Sequence, residues 1–527
     1  MPSTRDIPPM RGPVLATHGM AASEHPLVTQ TGVDVLRRGG NAFDAALAMS
    51  ALLPVVKPHR NHLGGDAYVL AYPKAEGRVT AICSGGMAPA AATPERYAGG
   101  IPRHGGGAAA IPGLVDAWQA FHDRWCTMPM RDLLAPAITY ARDGFPVSRE
   151  LARSMQAAQG LFAKYGTMAR ELYPDGAPPA FGSIFRQRGL ANVIEAIAHG
   201  GRAAFYEGAL ALRIAAGVQA AGGCMTAEDL ASHRADVLEP LSVDYRGCTV
   251  YETPPNSQGL ILLEELNIAE GFDLAGWGHL SPDAVHHMVE AKKLAFEDRQ
   301  RFAGDRAHVD FDPQRLLTKE WAAERRAQID PQRAWPAPAA VASSDTTSFV
   351  VADAAGNVCS FIQSLYNNWG AAVAIEGTGI IMNNRMTGFS LDPAHPNVLA
   401  PGKRTMHTLN TYLVFRDGRP YIVGNTPGGD YQVQTNFQVL TGIIDFGLDP
   451  QAAIDAPRWG DAAGVLLVEE EMPAETQQEL ARRGHDLRPV ARVTAPMGRA
   501  QAIVIDPATG TMIAGSDARG EGAAAGW

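Results

Sequence analysis

Hydrophobic positions recur at helical spacing early in the chain and at strand spacing late in it. The first 60 residues read as helical: "GVDVLRRGG" stops at Gly39-Gly40, and "NAFDAALAMSALLPVV" restarts with Asn41 as cap and Asp44 three residues on. "PHRNHLGGDAYVLAYP" is a loop followed by a strand. From about 110 to 330 the pattern is mostly helical. In "SPDAVHHMVEAKKLAFEDRQRFAG", Ser281 caps, Pro282 suits the first turn and Gly304 ends the helix, while Val285, Val289 and Phe296 share a face. "GCTVYETPPNSQG" is a strand entering a proline-rich turn.

The segment 325–345, "RRAQIDPQRAWPAPAAVASSD", is rich in Ala, Pro and Ser and has no period, so it is expected to be exposed and pliable. Beyond it the chain turns β-rich. "TSFVVAD" and "NVCSFIQSLY" flank "AAG" as a hairpin, and "GTGIIMNN", "HTLNTYLVFRDGRPYIVGN", "GVLLVEEE" and "RAQAIVID" read as further strands. One helix, "DYQVQTNFQVLTGIIDFG", interrupts them, with Val433, Phe437, Leu440 and Ile444 on one face. Strands packed with helices on both sides predict a layered α/β arrangement.

Composition narrows the function classes. The 527 residues are 46% hydrophobic and 19% charged, which is globular. A net charge of −10 and the lack of any basic cluster argue against nucleic acid or an anionic membrane as partner. Five scattered cysteines without a CxxC fit neither a disulfide framework nor a zinc ribbon. No apolar run is long enough to span a bilayer and the N-terminus has no secretory pattern, so a soluble cytoplasmic protein is expected. His59 and His62 form a HxxH, but no acid accompanies them; no metal and no cofactor is expected. Walker A, GxGxxG, HExxH and GxSxG are absent.

Two stretches carry candidate chemistry. In "SSDTTSFVVADAAGNVCSF" an acidic residue, Asp345, precedes Thr346 and Thr347 at the start of the hairpin. A threonine hydroxyl is a poor nucleophile unless a base takes its proton, and a free α-amino group on the same residue is such a base. Its unperturbed pKa, about 7.7–8.0, suits neutral pH. Thr346 meets that requirement only if the Asp345–Thr346 bond is cut; otherwise Asp-Thr-Thr is ordinary turn chemistry. In "GNTPGGDYQ" a strand ends, Gly428 and Gly429 follow, and Asp430 can cap the next helix. Backbone N–H groups at such a place bind an anion or a developing oxyanion, although a tight strand-to-helix turn needs the same glycines.

Together these residues resemble the γ-glutamyltransferase family of N-terminal-nucleophile hydrolases. The resemblance runs in order through "HPLVTQTGVDVLRRGGNAFDAALA", "LGGDAYVL", "MAPAAATPE", "IPGLVDAW", "FRQRGLANVIEAIAHGGRAAFYEG", "ETPPNSQG", "EAKKLAFEDR", "DTTSFVVADAAGN", "GTGIIMNNRMTGFS" and "NTPGGD", nearly the whole chain. It implies an α/β, four-layer αββα fold formed jointly by two chains after self-cleavage. These are a large chain, 1–345, mostly helical with strands, and a β-rich small chain, 346–527, which stay associated. It also implies Thr346 as nucleophile and base, Gly428 and Gly429 as oxyanion hole, and Ser364 as the hydroxyl that supports the threonine.

The resemblance breaks where the family holds an α-amino acid. Gly85 stands at the family arginine before Met-Ala-Pro, and Gly388 at the family aspartate after the paired asparagines. Tyr366 replaces an asparagine, and His407 and Thr408 replace paired serines. Both charged handles for a zwitterion are therefore missing. Arg385, Arg404 and His407 are new cationic candidates, and the alternative for the two arginines is structural pairing or solvent exposure. The sequence is most similar to the acylase-like and oxamate amidohydrolase-like branch. The expected activity is hydrolysis of a small carboxylate-bearing amide through an acyl-enzyme, bound by Arg385, Arg404, His407, Thr408 and Tyr366. The alternatives are a γ-glutamyl hydrolase or transferase and a glutaryl-amide acylase. Tyr366 and Trp369 would narrow the pocket, and the proline-stiffened loop 390–403 is a candidate lid. Homo-oligomerisation is left open.

Overall fold

In the strand Asp345–Asp353, successive side chains from Thr346 onward point to opposite faces of a sheet, and both faces are dry. Phe349 and Val351 join a core shared with helices, while Val350 and Ala352 join one that fills the gap to a second sheet. Val358 and Ile362 on the next strand face inward with them, and Cys359 and Phe361 outward. In the computed structural model, which describes residues 11–335, 345–462, 464–492 and 496–527, this repeats across two seven-stranded antiparallel sheets.

One sheet runs, edge to edge, Val14–Ala16, Met512–Ser516, Gln501–Ile505, Arg419–Asn425, Tyr412–Arg416, Cys248–Glu252 and Leu241–Tyr245. The other runs Ala523–Gly526, Gly19–Ser23, Asp345–Asp353, Val358–Tyr366, Asp66–Tyr72, Thr80–Ser84 and Asp236–Leu238. Helices Gly259–Ala269, Tyr431–Ile444 and Pro450–Asp455 cover the first, and Pro26–Arg37, Ala42–Val56 and Leu114–Trp125 cover the second. The layers are helix, sheet, sheet, helix, as the αββα expectation requires. Each sheet draws strands from both sides of the Asp345–Thr346 bond.

Local signals hold where they were strong. Helix Ala42–Val56 has the full capping box, Asn41 Oδ1 taking the Asp44 N–H and Asp44 Oδ2 the Asn41 N–H, worth about 1 kcal/mol. All its residues are buried, as suits a helix apolar all round. Helix Pro282–Phe302 has Ser281 as cap and ends just short of Gly304. Other expectations change. The first 60 residues are not all helical, since 14–16 and 19–23 are strands. Helices Pro450–Asp455 and Ala474–Arg482 join the one expected after 345. The segment 325–345 is not wholly pliable: its start closes helix Lys319–Arg326. Farther on, Ala334 N–H donates to Arg483 O at 2.8 Å and Trp335 N–H to Glu290 Oε2 at 2.7 Å. The rest of it, 336–344, lies outside the described residues. Among the described residues no helix is long and apolar enough to cross a membrane.

Candidate active site

Thr346 sits at an irregular step in its strand. Asp345 pairs with Tyr366 and Thr347 with Gln363, so the ladder slips between them. The Thr346 hydroxyl, fully buried, donates to Ser364 Oγ at 3.2 Å. Ser364 Oγ in turn accepts the Tyr366 N–H at 2.8 Å. The expected nucleophile and its supporting hydroxyl are therefore in contact. Tyr366 itself has φ +81, and Trp369 and Ala372 are also left-handed. A bulky residue there costs about 1–3 kcal/mol and persists only where the surroundings over-determine it. Here the Ser364 contact fixes the backbone and Arg385 lies 4.2 Å over the tyrosine ring.

Gly428 and Gly429 have φ of +126 and +61, which L side chains avoid. A Cβ on Gly428 would lie 3.1 Å from Gly498 Cα. The helix begins directly after them, and the Gly428 and Gly429 carbonyls receive the Tyr431 and Gln432 N–H groups. Gln258 Nε2 braces the turn from below by donating to Gly429 O at 3.0 Å. Asp430 holds the cap position but does not cap. Its carboxylate binds Arg299 Nη1 at 2.6 Å, and that nitrogen also reaches Gln258 Oε1 at 2.8 Å.

Tyr366, Thr408, Gly388, Asp430 and Arg299 line one cleft of about 720 Å³, part of it open to solvent. Phe389, Ser390, His395 and Asn397 close one side, so the start of the candidate lid forms a wall. Thr408 Oγ1 is buried without a partner among the described residues.

Arg385 is tucked behind the Tyr366 ring with its guanidinium wholly buried. Its Nε donates to Asp66 Oδ2 at 2.8 Å, and His407 Nε2 meets the same oxygen at 3.1 Å. Asp66 Oδ1 takes the Gly86 N–H at 3.0 Å. Burial would raise the Asp66 carboxyl, but Arg385 and His407 outweigh it and hold it below its usual range. Burial, aided by Arg385, pushes His407 down to about 4, so at neutral pH it is an uncharged imidazole rather than a cation. Its Nδ1 accepts from Leu409 N–H, which leaves the ring proton on Nε2, facing Asp66. Arg385 Nη1 and Nη2 are buried with no partner among the described residues. Arg404 is held structurally: Nε donates to Gly85 O at 3.1 Å, Nη2 to Arg234 O at 2.8 Å, and Asp236 lies 3.5 Å from Nη1.

A family model described as gamma-glutamyltranspeptidase matches residues 28–527. The chain belongs to that family. A glutathione hydrolase-like YwrD proenzyme from Bacillus subtilis is 40% identical over 98% of this chain and 100% of its own length. An oxamate amidohydrolase proenzyme from Klebsiella pneumoniae is 37% identical over 97% and 99%. The crystal structure of a cephalosporin acylase from Bacillus halodurans superposes with a TM-score of 0.94 at 38% identity, covering 99% of this chain and 98% of that one. This gamma-glutamyltranspeptidase-family chain is thus a hydrolase with the N-terminal-nucleophile fold.

Gly85 and Gly388, where the resemblance expects charged handles for an α-amino acid, are closely packed. A Cβ on Gly85 would meet Tyr68 Oη at 2.5 Å and His407 Cδ2 at 3.0 Å, and one on Gly388 would meet Thr405 Oγ1 at 2.9 Å. Other side chains already crowd the space beside both glycines. The sequence did not flag Asp66 or Arg299. The signal for Arg299 was its place at the end of "EAKKLAFEDR"; Asp66 had only its position after a Gly-Gly turn.

Proposed function

We propose that the chain is a proenzyme that opens its own Asp345–Thr346 bond, yielding chains 1–345 and 346–527. The product hydrolyses an amide that carries a carboxylate and lacks an α-ammonium group, with oxamate the smallest of its class. The new Thr346 α-amine takes the hydroxyl proton as Oγ attacks the amide carbonyl. The Gly428 and Gly429 N–H groups receive the oxyanion, and the amine passes its proton to the departing ammonia or amine. Water, deprotonated by the same amine, then releases the acid and frees Thr346. Ser364 orients the hydroxyl, and Thr408 and Tyr366 contact the acyl part.

The reading of the substrate is carried by charge. The carboxylate lining the cleft among the described residues, Asp430, is matched by Arg299. Arg385 lies wholly buried behind Tyr366 and outside the cleft lining, so its two unpartnered guanidinium nitrogens meet a substrate carboxylate only when the Tyr366 ring moves aside. Among the relatives, the name of the oxamate amidohydrolase fits that class and that of the glutathione hydrolase-like proenzyme does not, while the cephalosporin acylase supports an acylase acting on a larger acyl group, such as a glutaryl amide, as the second reading. Ammonia or amine release is measured across oxamate, simple acetamides, glutaryl amides and a γ-glutamyl anilide. Activity confined to the carboxylate-bearing amides without an ammonium is expected; a preference for the γ-glutamyl anilide overturns the substrate reading. Thr346→Ala should stay one full-length chain on a denaturing gel, and two chains from that variant would end the self-cleavage proposal.

A further inference from the structure

Helix Pro282–Phe302 sets His286 and Glu290 one turn apart on a single face. The loop after helix Ala474–Arg482 brings His485 against them. His286 Nδ1 lies 2.9 Å from His485 Nε2, which is 4.0 Å from Glu290 Oε1. All three side chains are buried, and their ligand-type atoms lie within 4.8 Å of one another. The two separations bracket the ~3.3 Å between neighbouring ligand atoms of a tetrahedral zinc ion bound at about 2.0–2.1 Å.

Surrounding contacts orient the donors. His286 Nε2 faces Asp330 O at 2.8 Å and so carries the proton, leaving the Nδ1 lone pair directed into the cluster. His485 Nδ1 is buried without a partner among the described residues, free to hold that ring's proton while Nε2 ligates. Glu290 Oε2 is fixed by the Trp335 N–H at 2.7 Å. We propose that His286, Glu290 and His485 form a zinc-binding site that joins the two sides of the Asp345–Thr346 bond. His286 and Glu290 precede that bond and His485 follows it, so a cut molecule would be bridged by the ion. Two imidazoles and one carboxylate suit zinc rather than calcium or magnesium. Lys293 is the ion's competitor: its ammonium lies 2.8 Å from Glu290 Oε1 and 3.1 Å from Trp335 O. When zinc binds, the ammonium keeps the carbonyl and gives up the carboxylate.

The test is a titration of chelator-treated full-length protein with zinc by calorimetry, and with cobalt(II) by visible absorption. One equivalent of zinc and a tetrahedral cobalt spectrum are expected. His485→Gln and Glu290→Gln weaken binding by about tenfold or more, Lys293→Gln tightens it, and the exposed control His199→Gln leaves it alone. Thr346→Ala, uncut, binds zinc with the same affinity, so failure of the chemistry at Thr346 leaves this site standing. Absence of binding by both the wild type and Lys293→Gln overturns the proposal, as does unchanged affinity in His485→Gln. The cobalt spectrum is read on the wild type and does not depend on any variant folding.

Discussion

Asp66→Asn removes one charge from the site and almost no volume. In the wild type Asp66 Oδ2 receives Arg385 Nε at 2.8 Å and His407 Nε2 at 3.1 Å, with all three groups fully buried. At an effective dielectric of about 20, unit charges ~4 Å apart attract by about 4 kcal/mol. Removing one partner of a buried pair costs about 3–5 kcal/mol, because the remaining charge stays out of water uncompensated. Arg385 has no replacement at hand, since Nη1 and Nη2 are without partners among the described residues. The unfolding free energy at pH 7 should therefore drop by ~3–5 kcal/mol. Urea unfolding followed by tryptophan fluorescence reads this, with both proteins carrying Thr346→Ala so that a single chain unfolds. The pH dependence gives a second check. The folded pKa of Asp66 is lowered, so its stabilisation is fully present above the unfolded value near ~3.9 and is lost as pH falls through the folded value. The gap between the two proteins should close in acid. A difference below about 1 kcal/mol at pH 7, or one that persists into acid, refutes the reasoning.

Gly428→Ala puts a Cβ at φ +126 and 3.1 Å from Gly498 Cα, which would swing the N–H off the proposed oxyanion position. A fall in kcat of about 10²–10³ with little change in KM is expected, and an unaltered kcat removes Gly428 from that role. Ser364→Ala takes away the acceptor for both the Thr346 hydroxyl and the Tyr366 N–H. It should slow ammonia release about tenfold or more, and full activity would leave Ser364 a packing residue. Burial raises the Glu265 carboxyl to about 8, with neither oxygen hydrogen-bonded among the described residues. That group stabilises the fold at low pH and loses its contribution as pH rises from about 4.5 through about 8. Denaturation midpoints of Glu265→Gln should decline less over that range, and parallel pH profiles would count against the shift.

The motifs that placed Thr346, Ser364 and the two glycines are local, and the structure keeps them local: a strand start, its neighbour, and a strand-to-helix turn. Tyr366 and Thr408 reach the same cleft because their segments flank it. What escaped the sequence depends on distance along the chain. Asp66 acquires a role through Arg385 and His407, 319 and 341 positions away. "VLA" and "GMAAS" carry no period of their own and become strands by pairing with 512–514 and 349–353. "SFVVA" shows no alternation of polar and apolar residues because both its faces are dry, so its strand character had to come from β-branched content and the turn after it. Arg404 and His407 were sound as residue types and changed meaning in context, one tied to backbone carbonyls and the other stripped of its charge by burial.

Because both sheets interleave strands from before and after residue 345, neither segment holds a complete layer on its own. Two separate genes encoding 1–345 and 346–527 would each yield a product with gaps in both seven-stranded sheets and long unpaired edges, prone to self-pairing before meeting the other. Continuous translation followed by opening of the backbone avoids that hazard. If the bond opens as proposed, this order would fix equal stoichiometry and let each strand find its neighbours while the halves are still tethered.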